Sequence, residues 1–175
     1  MRILTIGNSF SEDATRYLHQ IAKAQGKNLE VVNLVIGGCS LEMHYRNMLG
    51  NSKSYMLFFN GEFTGFYTTM EEALLSRQFD VITLQQCSHF AGVKETYSPY
   101  LSELIDYLRT YQPKAKIYFH QTWGYEDGCS RLSELTAFSS MEEMTSAVRD
   151  TVSAALEEED LDGAIPSGEM MLALT

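Results

Sequence analysis

The sequence predicts a single α/β domain, built on a parallel five-stranded sheet with helices on both faces. Five short apolar runs alternate along the chain with stretches that have the apolar spacing of helices. This alternation is typical of strands joined by crossover helices, which bury both faces of a sheet. No internal repeat, low-complexity tract or linker interrupts the chain. We therefore expect residues 1–175 to form one domain.

The five predicted strands are short runs of mostly aliphatic residues. They span 3–6, 29–36, 81–84, 116–119 and 163–165. Each run is followed by glycine, proline or a polar residue, which does not continue a buried strand. Such runs are expected where a parallel strand is buried on both of its faces.

The first helix is predicted directly after the first strand. Ala14, Tyr17, Leu18 and Ile21 have the spacing of one buried helical face. Gly26 follows as the residue that closes the helix. We therefore expect this apolar face to pack on the sheet.

Two later helices are indicated by longer apolar stripes, and both stripes are predicted to face the core. The first stripe ends before Pro113, because the residue preceding a proline disfavours the helical conformation. It consists of Tyr97, Tyr100, Leu101, Leu104, Ile105 and Leu108. The second stripe consists of Met141, Met144, Val148, Val152 and Ala155. Ser139 and Ser140 precede the second stripe as candidate N-caps.

The segment 51–69 differs in composition, being rich in aromatic residues, glycine and threonine. We predict a hairpin-like excursion over the surface here. Its aromatic residues are Tyr55, Phe58, Phe59, Phe63, Phe66 and Tyr67.

Composition narrows the classes of partner and compartment. Hydrophobic residues make up 45% of the chain and charged residues 21%, an ordinary globular balance. The formal net charge of -10 argues against nucleic acid or an anionic membrane as partner. No apolar run approaches the roughly 18 residues that span a bilayer. Because residues 2–6 already resemble a strand, a cytoplasmic location is the default expectation, although a removed secretory leader would leave no trace.

Cysteine spacing and motif searches indicate neither a metal nor a cofactor. Cys39, Cys87 and Cys129 are scattered and form no CxxC pair, so we expect reduced thiols. Cys39 follows two glycines and is conceivable as a nucleophile, but a buried free thiol is the ordinary interpretation. HExxH, GxGxxG and GxxxxGK[ST] are all missing from the sequence.

Ser9 is the main candidate for catalysis. The carboxyl ends of parallel strands meet at the edge where open α/β sheets bind their ligands. Ser9 lies there, after the first strand, with its N–H near a helix N-terminus that favours an anion. A serine so placed can attack a carbonyl carbon while its own N–H holds the oxyanion. The alternative is that Ser9, Ser11 or Asp13 only caps the helix, and Gly-Asn-Ser is too short to decide.

Two further strand ends offer donors to the same oxyanion. The N–H of Gly38 is one candidate, although Gly38 is equally well explained as a turn glycine. The side-chain amide of Gln85 or Gln86 is another, because polar groups that end a buried strand need partners. One such donor typically contributes about 10²–10³ in rate.

Three of the four histidines follow these strand ends. His120 follows the fourth strand with Trp123 nearby, His89 lies beyond the third strand, and His44 follows the second. For these three, lining a pocket or donating a hydrogen bond is favoured over the role of general base. His19, on the first helix, is expected to be structural.

Five segments of the chain occur in a recognisable order and spacing. They are ILTIGNSFSEDATRYLHQIA, NLVIGGCSLEMH, DVITLQQCSHF, IYFHQTWGY and DGAIPSG. Together they resemble the SGNH (GDSL-like) hydrolase superfamily, in a branch common in gut bacteria, over essentially the whole chain. The resemblance implies a flavodoxin-like three-layer α/β/α sandwich and hydrolysis of esters, often acetyl groups on carbohydrates. It also implies Ser9 as nucleophile, Gly38 as the glycine of the second block, and Gln86 in place of the usual asparagine.

The chain departs from this superfamily near its end. Members have an Asp-x-x-His motif downstream of the Pro-Ser-Gly turn, whose histidine is the general base, and then a closing helix. No such motif follows Pro166 before the chain stops at Thr175. We therefore expect a C-terminally truncated fold with impaired catalysis. We also expect exposed apolar surface, which favours a homo-oligomer.

Two functions of different classes are compatible with these residues. The first is a serine ester hydrolase acting on small-molecule esters such as acetylated sugars, with Asn8, Gln85, His120 and Trp123 in the substrate site. The aromatic segment 51–69 is expected to line the same sugar site. The second is a non-catalytic carbohydrate-binding or vestigial domain, which the missing base favours.

Overall fold

The computed structural model describes all residues from Met1 to Thr175. The strands are β1 (Arg2–Gly7), β2 (Glu30–Val35), β3 (Tyr55–Phe59), β4 (Glu62–Thr68), β5 (Val81–Leu84), β6 (Lys116–Gln121) and β7 (Gly163–Pro166). The helices are α1 (Ser9–Thr15), α2 (Leu18–Ala24), α3 (Leu41–Leu49), α4 (Met70–Ser76), α5 (Tyr100–Tyr111), α6 (Ser130–Leu135), α7 (Met141–Glu158) and α8 (Ser167–Leu174). A short 3₁₀ helix spans Lys94–Thr96. None of the helices is both long and apolar enough to cross a membrane.

One sheet of seven strands runs through the molecule in the order β4-β3-β2-β1-β5-β6-β7. Strands β1, β2, β5, β6 and β7 are mutually parallel and correspond to the five predicted strands. Strands β3 and β4 are antiparallel and extend the sheet beyond β2. The prediction of a five-stranded parallel sheet is therefore corrected to a seven-stranded mixed sheet.

The segment 51–69 forms the predicted hairpin, but this hairpin extends the sheet beyond β2 instead of standing apart from it. Strand β3 pairs with β2 from Met56 opposite Val35 to Phe59 opposite Val32. A tight turn at Asn60 and Gly61, both at positive φ, returns the chain into β4. A hairpin has the same local pattern whether or not its edge pairs with another strand. Only the tertiary contact with β2 distinguishes the two arrangements.

Helices cover both faces of the sheet, which confirms the predicted three-layer α/β/α sandwich. On one face α3, α4, α5 and α7 enclose the main core, whose fully buried strand residues include Leu4, Ile6, Ile82 and Leu84. On the other face α1 and α2 lie against β1 and β2. Asn33 of β2 anchors α1 there, because its side chain bonds to hydroxyl groups on that helix.

Both of the longer apolar stripes face the core as predicted. In α5 the buried residues are Leu101, Leu104, Ile105 and Leu108. In α7 they include Met141, Met144, Val148, Val152 and Ala155. Ser140 is the N-cap of α7, since its hydroxyl accepts a hydrogen bond from the backbone N–H of Glu143 at 3.1 Å. Tyr97 is buried but precedes α5, which begins at Tyr100.

The predicted apolar face of the first helix is wrong. The segment divides into α1 and α2, and Tyr17 at the break is 64% exposed. Ile21 is 55% exposed, whereas Phe10, Ser11 and Thr15 are buried instead. Ser11 and Thr15 turn inward because Asn33 bonds to their hydroxyl groups. The apolar spacing did not reveal that a polar group on β2 would orient this helix.

Candidate active site

The N-terminus of α1 presents Ser9 at the carboxyl end of the central strand β1. Ser9 is exposed, while the preceding residue, Asn8, is 1% exposed and is the N-cap of the helix. The Asn8 side-chain oxygen Oδ1 accepts a hydrogen bond from the backbone N–H of Phe10 at 3.1 Å. This cap determines the direction in which α1 leaves the sheet.

Asn8 joins the ends of three neighbouring strands. Its Nδ2 donates to the carbonyl oxygen of Cys39, just after β2, at 3.0 Å. Its Oδ1 also accepts from Nε2 of Gln85, just after β5, at 2.6 Å. Because every polar atom of the Asn8 side chain has a partner, the backbone that presents Ser9 is firmly held.

Gly7 makes this arrangement sterically possible. A Cβ added at Gly7 would lie 2.6 Å from both Cδ and Oε1 of Gln85, and 2.8 Å from Oγ of Ser11. Gln85 therefore reaches Asn8 by passing directly over the Cα of Gly7. Any larger residue at position 7 would displace the Gln85 side chain.

Ser9 and Gly38 each offer an unpaired backbone N–H at this edge. Neither group donates a hydrogen bond to another part of the protein. Gly38 has a φ of +65°, a conformation that favours glycine. The two strand ends are held together on either side by a bond from Ile36 N–H to the Gly7 carbonyl at 3.1 Å and by the Asn8–Cys39 bond. This pair of donors is the kind that stabilises an oxyanion.

The side chain of Gln86 is used to hold loops together. Its Oε1 accepts from the backbone N–H of Leu41 at 3.0 Å and of Cys87 at 2.9 Å. Its Nε2 donates to the carbonyl and hydroxyl oxygens of Thr96 at 3.3 and 3.2 Å. Gln86 is 1% exposed, so in this structure its amide hydrogens are directed at Thr96.

The chain matches a known protein family over nearly its whole length. The model of a protein family, described as a domain of unknown function, DUF4886, matches residues 2–172. The chain belongs to the DUF4886 family. No curated protein matches the sequence.

Solved structures place the DUF4886 domain within a wider set of folds. A DUF4886 family protein from Bacteroides uniformis is 32% identical with a TM-score of 0.87, over 96% of this chain and 67% of that one. A putative SGNH hydrolase from Slackia heliotrinireducens is 22% identical with a TM-score of 0.63, over 93% and 77%. The acetyl xylan esterase AlAXEase is 11% identical with a TM-score of 0.60, over 95% and 78%. The predicted SGNH hydrolase fold is therefore confirmed.

The predicted substrate residues of the DUF4886 domain form one connected group. Asn8, Gln85 and His120 are buried and linked by hydrogen bonds, and His120 Nδ1 lies 3.2 Å from Gln85 Oε1. Trp123 is partly exposed, and its ring centroid lies 4.6 Å from that of Phe10 and 6.2 Å from that of His120. Trp123 is thus the member of the group whose side chain is partly open to solvent.

None of the remaining histidines hydrogen-bonds to Ser9. His44 is fully buried, its Nδ1 is 2.9 Å from the Tyr55 hydroxyl, and burial lowers its pKa to about 3. His19 Nδ1 bonds to the Leu29 carbonyl at 2.6 Å, which is a structural contact. His89 is exposed on the loop after β5.

Cys39 has no exposed surface, and burial raises the pKa of its thiol to about 12. The thiolate is the nucleophilic form of cysteine, so this thiol is inert near neutral pH. The structure contains no group of three or more His, Cys, Asp or Glu side chains placed to hold a metal ion.

The aromatic residues of 51–69 do not share a site with Trp123. Tyr67 lies on the edge strand β4, and Trp123 follows β6. Five strand spacings separate these two strands, or about 24 Å at roughly 4.8 Å each. The expectation of a shared sugar site is therefore wrong, since it depended on a strand order that the sequence does not show.

Sequence reasoning missed one polar partner at the strand ends. Ser167, the first residue of α8, places its Oγ 3.0 Å from Nε2 of His120. Gly168 allows this approach, because a Cβ there would lie 2.4 Å from the Thr122 carbonyl oxygen. The Pro-Ser-Gly sequence after the fifth strand was the available signal.

Proposed function

We propose that this chain is a serine ester hydrolase of the SGNH kind that acts on small acyl esters, acetylated sugars among them, with Ser9 as nucleophile. The placement of Ser9 is the observation that supports this most strongly. Ser9 is exposed at the carboxyl end of the central strand. The preceding residue, Asn8, is buried and hydrogen-bonded to two other strand ends. Open α/β sheets bind their ligands at this edge.

The proposed reaction is acyl transfer through Ser9. Its Oγ attacks the ester carbonyl carbon, the bond to the alcohol oxygen breaks, and water later releases the acid from the acyl-serine. The unpaired N–H groups of Ser9 and Gly38 are the proposed donors to the oxyanion. Gln86 is the third proposed donor, and it must first release Thr96.

Trp123 is the proposed contact for a sugar ring. It is partly exposed, and it packs edge-on against Phe10, the residue after Ser9. A half-buried aromatic ring offers an apolar face on which a sugar can stack while its hydroxyl groups stay in water. The name of the acetyl xylan esterase among the similar structures agrees in kind with this substrate class.

A second candidate function is a non-catalytic carbohydrate-binding domain. One observation favours it, since no side chain of the structure hydrogen-bonds to the hydroxyl of Ser9. Both ring nitrogens of His120 are already engaged, by Gln85 and by Ser167. Without a base to accept its proton, a serine hydroxyl is a weak nucleophile, so we expect slow turnover from this chain.

Hydrolysis of p-nitrophenyl acetate and of acetylated xylo-oligosaccharides tests the first function. We expect slow hydrolysis that falls at least about tenfold in Ser9→Ala and is unchanged in Ser153→Ala, which removes an exposed helical serine on α7. Gln86→Ala should lower the rate as well. Equal rates in the parent and Ser9→Ala would reject the esterase. Calorimetric binding of the same oligosaccharides, lost in Trp123→Ala, would then establish the binding function.

A further inference from the structure

A serine other than Ser9, Ser167, is hydrogen-bonded to His120 at the strand ends. His120 is the second-last residue of β6, on the same edge of the sheet as Ser9, and Ser167 follows the neighbouring strand β7. Their Nε2 and Oγ atoms lie 3.0 Å apart, within the hydrogen-bond reach expected of a nucleophile and its base. On its other side His120 Nδ1 lies 3.2 Å from Oε1 of Gln85. Ser167, His120 and Gln85 are therefore arranged as a nucleophile, a base and the group that orients the base.

Backbone groups determine the direction of every hydrogen bond in this line. The Phe10 N–H can only donate and the Cys39 carbonyl can only accept, so Asn8 presents Oδ1 to the first and Nδ2 to the second. Gln85 must then direct its Nε2 at Asn8 Oδ1. Its Oε1 consequently faces His120.

The tautomer of His120 follows from the same argument. Because Gln85 Oε1 can only accept, the proton of the neutral ring resides on Nδ1. Nε2 is left with a lone pair, so the hydroxyl of Ser167 must be the donor of the 3.0 Å bond. Burial lowers the pKa of His120 to about 4, and the ring is neutral near pH 7. A neutral Nε2 that accepts a hydrogen bond from the serine hydroxyl is the ground state from which general-base catalysis starts.

The Ser167–His120 pair opens into a cavity of about 280 Å³. The sheet, α1 and the start of α2 form its walls, with aliphatic side chains from Ile3, Leu18, Val81 and Ile165. Ser167 is partly exposed, whereas Ser9 is not among the lining residues. A small apolar group can therefore reach Ser167 without passing Ser9.

We propose that Ser167 is a second nucleophile, with His120 as its general base, that accepts acyl groups from small apolar esters bound in this cavity. Ser167 Oγ forms a bond to the ester carbonyl carbon while its proton moves to His120 Nε2. The bond from that carbon to the alcohol oxygen then breaks, and the leaving oxygen takes the proton from Nε2. The products are acyl-Ser167 and the free alcohol. This proposal goes beyond the esterase proposed for Ser9 and does not depend on it.

The orienting group sets the expected rate. In serine proteases a buried aspartate stabilises the imidazolium that forms during attack. Gln85 holds the correct tautomer but has no negative charge, so acylation should be slow. We therefore expect accumulation of one acyl group per chain over many minutes instead of rapid turnover.

Reaction of the 175-residue chain with p-nitrophenyl butyrate, followed by acid quenching and peptide mass mapping, tests this proposal. In Ser9→Ala we expect one butyryl group on the peptide that contains Ser167, and we expect its loss in Ser9→Ala/Ser167→Ala. His120→Gln in the Ser9→Ala background should slow the reaction at least tenfold, since a general base contributes about 10²–10⁴. Ser153→Ala in that background is the matched control and should leave it unchanged.

Ile165→Trp provides a variant that leaves the hydrogen bonds intact. It should fill part of the cavity and slow butyrylation of Ser167 more than acetylation by p-nitrophenyl acetate. A butyryl group on Ser9 and none on Ser167 would overturn this proposal and leave the Ser9 esterase standing. A butyryl group on Ser167 and none on Ser9 would support this proposal and reject Ser9 as the nucleophile. Labelling of Ser167 that His120→Gln does not slow would also overturn it.

Discussion

Gln85 donates a 2.6 Å hydrogen bond from Nε2 to Oδ1 of Asn8, a residue 77 positions earlier in the chain. Both side chains are 1% exposed, so the bond lies where water cannot replace it. It connects the end of β5 to the residue that presents Ser9. The local structure around the proposed nucleophile therefore depends on a residue at the end of a different strand.

Gln85→Leu should destabilise the domain and disorder the start of α1. The substitution keeps the approximate volume but leaves Asn8 and His120 each without one partner. An unsatisfied buried polar group costs about 1–3 kcal/mol. Urea unfolding should show a loss of that size, and any hydrolysis that depends on Ser9 should fall. Gln20→Leu, at an exposed position on α2, is the control and should leave both unchanged.

Gly7→Ala should act through the same bond. The added methyl group would meet Gln85 at 2.6 Å, and Gln85 can escape only by leaving Asn8. The cost of Gly7→Ala should consequently be about 1–3 kcal/mol in the parent protein and clearly smaller in the Gln85→Ala background. A double-mutant cycle from urea midpoints measures this coupling. Strict additivity of the two changes would show that Gly7 is needed for another reason.

Acid should destabilise the protein through its buried histidines. Burial lowers the pKa of His44 to about 3, against 6.5 for an exposed histidine. As the pH falls below 6.5 the unfolded chain binds a proton at this position and the native chain does not, so stability present at neutral pH is lost. By pH 4 the loss from one such group reaches about 3 kcal/mol.

The thermal midpoint recorded between pH 7 and pH 4 measures this effect. His44→Gln should flatten the decline, because the Tyr55 hydroxyl then faces a side chain that does not titrate. His89→Gln is the matched control, since His89 is exposed, and it should follow the parent curve. Parallel curves for His44→Gln and the parent would mean that other groups cause the acid sensitivity.

We predict that the chain forms a homo-oligomer through exposed apolar residues at the break between α1 and α2. Tyr17 and Ile21 are more than half exposed at the α1–α2 break. Light scattering at rising protein concentration should give a mass above the 19.8 kDa of one chain. Tyr17→Lys/Ile21→Lys should shift the association to higher concentration, whereas Leu75→Lys, at another exposed apolar position, should not. A mass of one chain at every concentration would contradict this prediction.

The sequence alone determined the parallel part of the sheet and the long helices. The runs 3–6 and 81–84 correspond to β1 and β5. A short aliphatic run that ends at glycine or a polar residue is typical of a parallel strand buried on both faces. The core stripe of α7 was likewise visible in its spacing. The apolar pattern of an element reports its own burial, which is on both faces of these strands and on one face of the helix.

Tertiary structure alone decided which polar side chains meet at the strand ends. The sequence placed Ser9, Gln85 and His120 after strands, but it could not show that Gln85 would bond to Asn8 while Gln86 turned to Thr96. Nor could it show that Ser11 and Thr15 would face Asn33 and so expose Tyr17. A hydrogen bond between distant residues has no periodic signal, because it depends on strand order and on the direction of each amide. Those are properties of the assembled sheet, and the pairing of Ser167 with His120 is decided by the same physics.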